Sequence, residues 1–267
     1  MSGTILRDAT LESDGYCRIA GAVPPDLIAR AKQAFDTRYL SNEAGYQAHI
    51  TAGKHPPVRH VGDGRYMITV GLSGAFAVPD LAVNLQIVAI VRTALGPDAI
   101  LESFGAVLAF PGAGPQHIHR DGPILFSESE GRDLPAYALT VAIPLVDMTA
   151  DNGATELWPG SHRLPAPTAA EADEVRDTIP WRRADAAAGD ALIWDFRLFH
   201  RGGGNATKTP RPILYMTYAR PWFTDRNNWQ EKSGLWTGST FLDGLDHESA
   251  ALFRHVRRRD DAQFTGP

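Results

Sequence analysis

Three residues of this chain have side chains and spacings suited to holding one metal ion: His119, Asp121 and His200. The first two stand two apart in Gln116-His117-Ile118-His119-Arg120-Asp121-Gly122. On an extended strand residues i and i+2 project to the same face, so one imidazole nitrogen and one carboxylate oxygen can reach a single ion. A His-x-Asp pair is common and carries little weight alone. His200 adds to it. It follows the run Gly189 to Phe199, and a barrel can bring that strand beside the first. Two histidines and one carboxylate then occupy one face of an octahedral ion and leave three positions open. Two of these suit a chelating 2-oxo acid and the third suits dioxygen. Nitrogen and carboxylate donors without thiolate suit Fe(II).

Arg211 lies eleven residues after His200, beyond a loop rich in glycine with Asn205 in it. Such a loop turns the chain between antiparallel strands, which puts Arg211 next to the ligand strand. A guanidinium there can grip the distal carboxylate of 2-oxoglutarate through two parallel hydrogen bonds. His117 competes with His119 as ligand, but only His119 is followed two residues later by Asp.

These residues need a scaffold that brings separate segments together. Asp14-Gly15-Tyr16 reads as a turn feeding a short strand. Pro24-Pro25-Asp26 opens a helix with Leu27, Ile28, Ala31 and Phe35 on one face. Asp80 to Leu95 reads as a second amphipathic helix. Strand-like runs follow: Ile100 to Phe110, Tyr137 to Val146, Thr155 to Trp158, Ala191 to Phe199 and Ile213 to Arg220. Short strands divided by Gly/Pro turns predict an antiparallel sandwich or barrel. Pro165 to Pro180, rich in Ala and acid, predicts a surface helix. The Arg-rich tail from Arg254 reads as a solvated helix end. Trp158, Trp194 and Trp222 read as core packing. No composition shift marks a boundary, so the expectation is one domain over 1–267. It would have a helical part to about 98, a β core from about 99 to 222 and an extension from about 223.

The chain has 267 residues, 43% of them hydrophobic, which is enough for one large core. The formal net charge of -5 predicts no nucleic-acid partner. The single cysteine, Cys17, excludes an internal disulfide framework and disfavours a thiolate metal site. There is no basic-plus-apolar leader and no membrane-length apolar run, so a soluble cytoplasmic protein is the expectation. Oligomeric state is not legible.

The chain from Asp14 to about Trp222 resembles the phytanoyl-CoA dioxygenase family of Fe(II)- and 2-oxoglutarate-dependent oxygenases. The family pattern is His-x-Asp, a late His and an Arg eleven residues further on. His119, Asp121, His200 and Arg211 match it. Asn152-Gly153 with Pro159-Gly160-Ser161-His162, and Gly189-Asp190, also resemble family stretches. The resemblance implies a mainly β fold with flanking helices around a double-stranded β-helix (jelly-roll, cupin-like) core. It implies Fe(II), 2-oxoglutarate and O2 as cofactor and cosubstrates. The expected activity is oxidation, by default hydroxylation, of a small organic metabolite with release of succinate and CO2. It also implies cosubstrate contacts for Thr140 and Gln116, and a structural role for His162. Halogenation is disfavoured, because Asp121 fills the position chloride would need. Two other readings stay open: a metal-binding jelly-roll without catalysis, and a cupin enzyme that does not use 2-oxoglutarate.

Overall fold

The computed structural model describes residues 8–54, 57–123, 125–126, 134–164, 178–226, 228 and 235–256. The expected surface helix in Pro165 to Pro180 falls almost wholly outside them, as does most of the arginine tail.

The helices α1 (Asp8–Asp14), α2 (Pro25–Arg38), α3 (Glu43–Thr51), α4 (Pro79–Ala82) and α5 (Leu85–Leu95) all precede residue 98. Helix α2 starts at a proline, which needs no N–H partner in the first turn. It buries the expected Leu27, Ile28, Ala31 and Phe35. The second expected helix is two. The chain breaks at Val83-Asn84, because the Asn84 side chain accepts from the amides of Gln86 and Ile87 and caps a new helix.

The strands are β1 (Tyr16–Ile19), β2 (Val58–Gly62), β3 (Arg65–Thr69), β4 (Gly71–Leu72), β5 (Ile100–Ala109), β6 (Ala138–Pro144), β7 (Thr155–Leu157), β8 (Arg182–Ala184), β9 (Ala191–Asp195), β10 (His200–Gly202), β11 (Arg211–Ala219) and β12 (Trp236–Thr237). Seven form one sheet in the order β1-β9-β6-β11-β5-β3-β2, and β10-β7-β8 form a second. Every pairing in these two sheets is antiparallel. This is the jelly-roll core. Its large sheet takes β1, β2 and β3 from the first 98 residues, so the N-terminal part is not only helical.

Period-2 alternation divides the large sheet into two faces. Leu214, Met216 and Tyr218 of β11, Leu139, Val141 and Ile143 of β6, and Tyr66 and Ile68 of β3 pack in the helix-side core. Their alternating neighbours Ile213, Ala142 and Met67, with Leu192 and Trp194 of β9, pack in a second core that also takes Leu157 of the small sheet. Arg65, Thr140, Arg211 and Tyr215 fall in the same alternation as this second set. Three strands, β3, β6 and β11, thus aim polar side chains into the space between the sheets.

Among the described residues no helix is long and apolar enough to cross a membrane.

Candidate metal centre

His119 lies outside any ladder but forms an isolated antiparallel bridge with His200. Each backbone amide donates to the other residue's carbonyl at 2.9 Å. The expected strand at His-x-Asp is therefore a single bridged pair. The i/i+2 logic still operates, because Arg120 points the other way. Its guanidinium donates to the carbonyls of Ser161 and Leu164 and lies 4.0 Å from the centroid of the Phe199 ring. Gly122 then turns the chain. A Cβ there would stand 2.5 Å from both Phe196 and the Tyr137 hydroxyl.

His200 follows a turn held by a buried ion pair. The Asp195 carboxylate accepts from the Arg197 amide and guanidinium at 2.8–2.9 Å, which ends β9 early. Ser161 Oγ accepts from the Phe199 amide, so the Pro159-Gly160-Ser161-His162 stretch anchors the residue before the ligand. His162 Nε2 lies 3.2 Å from the Glu12 carbonyl oxygen, a packing position.

One ligand atom from each of His119, Asp121 and His200 lies within 4.8 Å of the others. In both histidines Nδ1 faces a carbonyl two residues earlier, His117 at 2.9 Å and Leu198 at 3.0 Å. That contact favours the tautomer with Nδ1 protonated and leaves Nε2 with its lone pair. His200 Nε2 lies 3.6 Å from Asp121 Oδ1. Desolvation and the neighbouring His200 hold His119 below the usual imidazole range. Burial pushes the Asp121 carboxyl up, but His200, His119, Thr140 and Tyr215 together bring the net shift down. A neutral imidazole beside an ionised carboxylate is the protonation state that ligates a hard or borderline divalent cation.

The three residues line a cavity of about 380 Å³ that also contains Arg65, Gln116 and Arg211. Arg211 is fully buried and donates Nε to the Asn152 carbonyl and Nη2 to the Gly153 carbonyl, leaving Nη1 without a partner among the described residues. Its two-pronged fork is thus half spent on the Asn152-Gly153 turn. Arg65, which the sequence reading passed over, faces the same end. Both arginines pair across the sheet with Ala109, one from each side. Arg65 Nη2 donates to the carbonyls of Gly114 and Gly203, while Nε and Nη1 have no partner among the described residues. Burial lowers Arg65 to about 10. Burial and then the Arg65 charge lower Arg211 to about 9. Neither makes an ion pair among the described residues. Buried, unpaired guanidinium N–H groups are costly, and a carboxylate brought into the cavity would satisfy them. The donor set therefore fits iron chelated by a dicarboxylic 2-oxo acid.

Other expected residues are placed as follows. Gln116 lines the cavity, but both ends of its amide are engaged, donating to the Val61 carbonyl and accepting from the Gly202 amide. Thr140 donates to Asp121 Oδ2 at 2.6 Å. His117 is exposed at the cavity edge. Trp158 is core and Trp194 lines the cavity, whereas Trp222 is 62% exposed and does not pack in the core. Tyr215 and Asn228 also reach the cavity. Tyr215 was visible as a period-2 neighbour of Arg211. Nothing in the sequence marked Asn228, which donates to the Asp121 carbonyl from a segment after the β core.

The family model described as phytanoyl-CoA dioxygenase matches residues 11–213. A dioxygenase of Aspergillus fumigatus, af480, is 31% identical over 57% of this chain and 48% of its own length. The matched chain thus spans about half of that relative. The dioxygenase trt7 of Aspergillus terreus is 28% identical, covering 80% of this chain and 72% of its own. Among solved structures, HygX from Streptomyces hygroscopicus, crystallised with nickel, 2-oxoglutarate and hygromycin B, shares the fold. The TM-score is 0.60, with 15% identity over 80% of this chain and 86% of that one.

Proposed function

This chain belongs to the phytanoyl-CoA dioxygenase family of Fe(II)- and 2-oxoglutarate-dependent oxygenases, and we propose that it hydroxylates a small organic metabolite. We assign the iron to His119, Asp121 and His200, and the distal carboxylate of 2-oxoglutarate to Arg65 and Arg211 acting together. The observation that carries this reading is the pair of buried guanidinium groups that line the same cavity as the triad, whose N–H groups without a partner among the described residues suit an anion. A jelly-roll that only senses metal, or a cupin that does not use 2-oxoglutarate, has no use for them.

When bound, iron with 2-oxoglutarate and dioxygen supplies the oxidising equivalent that puts oxygen into a C–H bond, with succinate and CO2 released. The chain's own residues do the rest. The Nδ1 contacts to carbonyl groups fix both imidazoles with Nε2 presented. Asp121 offers a full negative charge at neutral pH. The arginines set the cosubstrate's depth in the cavity, so that its 2-oxo acid end falls at the triad. Met67, Val107, Ile213 and Trp194 line the same cavity and exclude water from the reacting end. Small-molecule chemistry is supported by HygX, solved with hygromycin B.

The test needs no substrate. Fe(II) and then 2-oxoglutarate are added without oxygen and the visible spectrum is recorded. A weak charge-transfer band, lost in His200→Ala, supports the reading. Metal binding without a band would refute use of 2-oxoglutarate.

A further inference from the structure

Asp121 is gripped from behind. Its Oδ2 accepts from Thr140 Oγ1 at 2.6 Å, from Trp194 Nε1 at 3.0 Å and from the Tyr215 hydroxyl at 2.8 Å. The donors come from β6, β9 and β11, which are neighbours in the large sheet. Thr140 and Trp194 stand directly opposite each other across the β6–β9 ladder. All three residues are buried or nearly so, and Asp121 is 7% exposed.

A carboxylate oxygen has about two lone-pair sites. Three donors therefore leave none on Oδ2 for a cation. Oδ1 is the oxygen on the metal side, 3.6 Å from His200 Nε2. Among the described residues it meets only the shared Tyr215 proton, whose hydroxyl is also 2.8 Å away.

We infer that Thr140, Trp194 and Tyr215 are positioning residues that restrict Asp121 to one-oxygen ligation and so keep a coordination position open for the cosubstrates. The inference rests on the reading of Asp121 as an iron ligand. A carboxylate free to swing would chelate with both oxygens and take one of the three positions that a 2-oxo acid and dioxygen need. Here that swing breaks up to three hydrogen bonds to a buried charge. Among the described residues Asp121 is the only acceptor for the indole N–H. Thr140, expected at the cosubstrate, has its single proton committed to the ligand.

The test is an anaerobic titration with Fe(II) and then 2-oxoglutarate on Tyr215→Phe, Trp194→Phe, Thr140→Val and Thr140→Ser. Each protein is first checked for folding by circular dichroism. Deletion of a donor behind a metal ligand typically weakens metal binding ten- to a hundred-fold. The expected result in Tyr215→Phe and Thr140→Val is a loss of about that size in 2-oxoglutarate binding to the Fe(II)-loaded protein, with a displaced charge-transfer band. Thr140→Ser, which keeps the donor, should stay within about two-fold of the parent. A purely structural role would lower Tm and leave the Fe(II) affinity and band of the folded protein unchanged, and that result overturns the inference. If Tyr215→Phe does not fold, the Thr140→Val and Thr140→Ser pair carries the test alone. Asp121→Ala separates the two levels. Fe(II) binding at parent strength in that variant removes Asp121 from the triad. Loss there with parent-like donor variants refutes only the positioning role.

Discussion

The shared carboxylate site makes a prediction that differs from the single-arginine clamp of the sequence reading. Arg211 has one unpartnered nitrogen, Nη1, among the described residues, because Nε and Nη2 already serve the Asn152 and Gly153 carbonyls. Arg65 has two unpartnered nitrogens. A hydrogen bond to a charged group contributes about 1.5–3 kcal/mol, and each 1.4 kcal/mol is about ten-fold in affinity. Arg211→Met should therefore weaken 2-oxoglutarate binding by about ten- to a hundred-fold. Arg65→Met should cost at least as much. Neither variant should abolish binding, since the other guanidinium remains. The double variant should lose more than the two losses combined, because it leaves a buried carboxylate with no cation near it. The assay is the anaerobic charge-transfer titration, run with 2-oxoglutarate and with pyruvate. Pyruvate keeps the chelating end and lacks the distal carboxylate, so its affinity should be nearly the same in all four proteins. An Arg65→Met protein within about two-fold of the parent for 2-oxoglutarate would refute the shared site and return the whole contact to Arg211.

Asp121→Ala and His200→Ala should each eliminate Fe(II)-dependent release of succinate from 2-oxoglutarate, and parent-like succinate yield from either would break the triad assignment. Gly122→Ala should lower stability by about 1–3 kcal/mol or more, the usual cost of overpacking. Its Cβ would collide with Phe196 and Tyr137, and an unchanged denaturation midpoint would contradict the packing described for this turn. Glu102 sits beside Asp225, whose amide donates to it, and burial followed by the Asp225 charge raises its carboxyl from 4.5 to about 7. Between those values the folded protein holds a proton that the unfolded chain has released, so this group's contribution is present below about 4.5 and lost as pH rises to about 7. The full shift corresponds to about 3.4 kcal/mol, and partial solvent screening reduces it to about 1–2 kcal/mol. Glu102→Gln should be more stable than the parent by that amount at pH 8 and equal to it near pH 4.5. A pH-independent difference in chemical denaturation would remove Glu102 from the account.

The elements were legible where a single period governed a long run. Helix α2 starts where Pro24-Pro25-Asp26 predicts, and strands β5, β6 and β11 fall within a residue or two of their expected bounds. The failures have local causes. Asn84 looks like one more polar residue on a helix, yet its side chain stops one helix and starts another. Asp195 and Arg197 sit in an apolar run that reads as continuous strand, but their buried ion pair turns the chain and frees His200 for the second sheet. Strands β2 and β3 escaped notice because Arg59, His60 and Arg65 interrupt the apolar pattern. Those interruptions are what the cavity uses.

That division explains why reaction class is readable and substrate less so. The end of the cavity proposed for the cosubstrate is built from β3, β6, β9 and β11, whose inward positions follow from alternation once one of them is known. Arg211 fixes the face, and Ile213 and Tyr215 follow from it. The remaining wall comes from Arg59, His60 and Val61 of an edge strand and from Asn228. Asn228 is tied to Asp225 and to the Asp121 carbonyl, so a residue that borders the cavity also touches the proposed metal ligand. Edge strands and loops vary without cost to the sheet beneath them. A family can therefore keep one oxidising centre on the sheet and change what it oxidises by rebuilding the rim, and in this chain the rim joins the centre at Asn228.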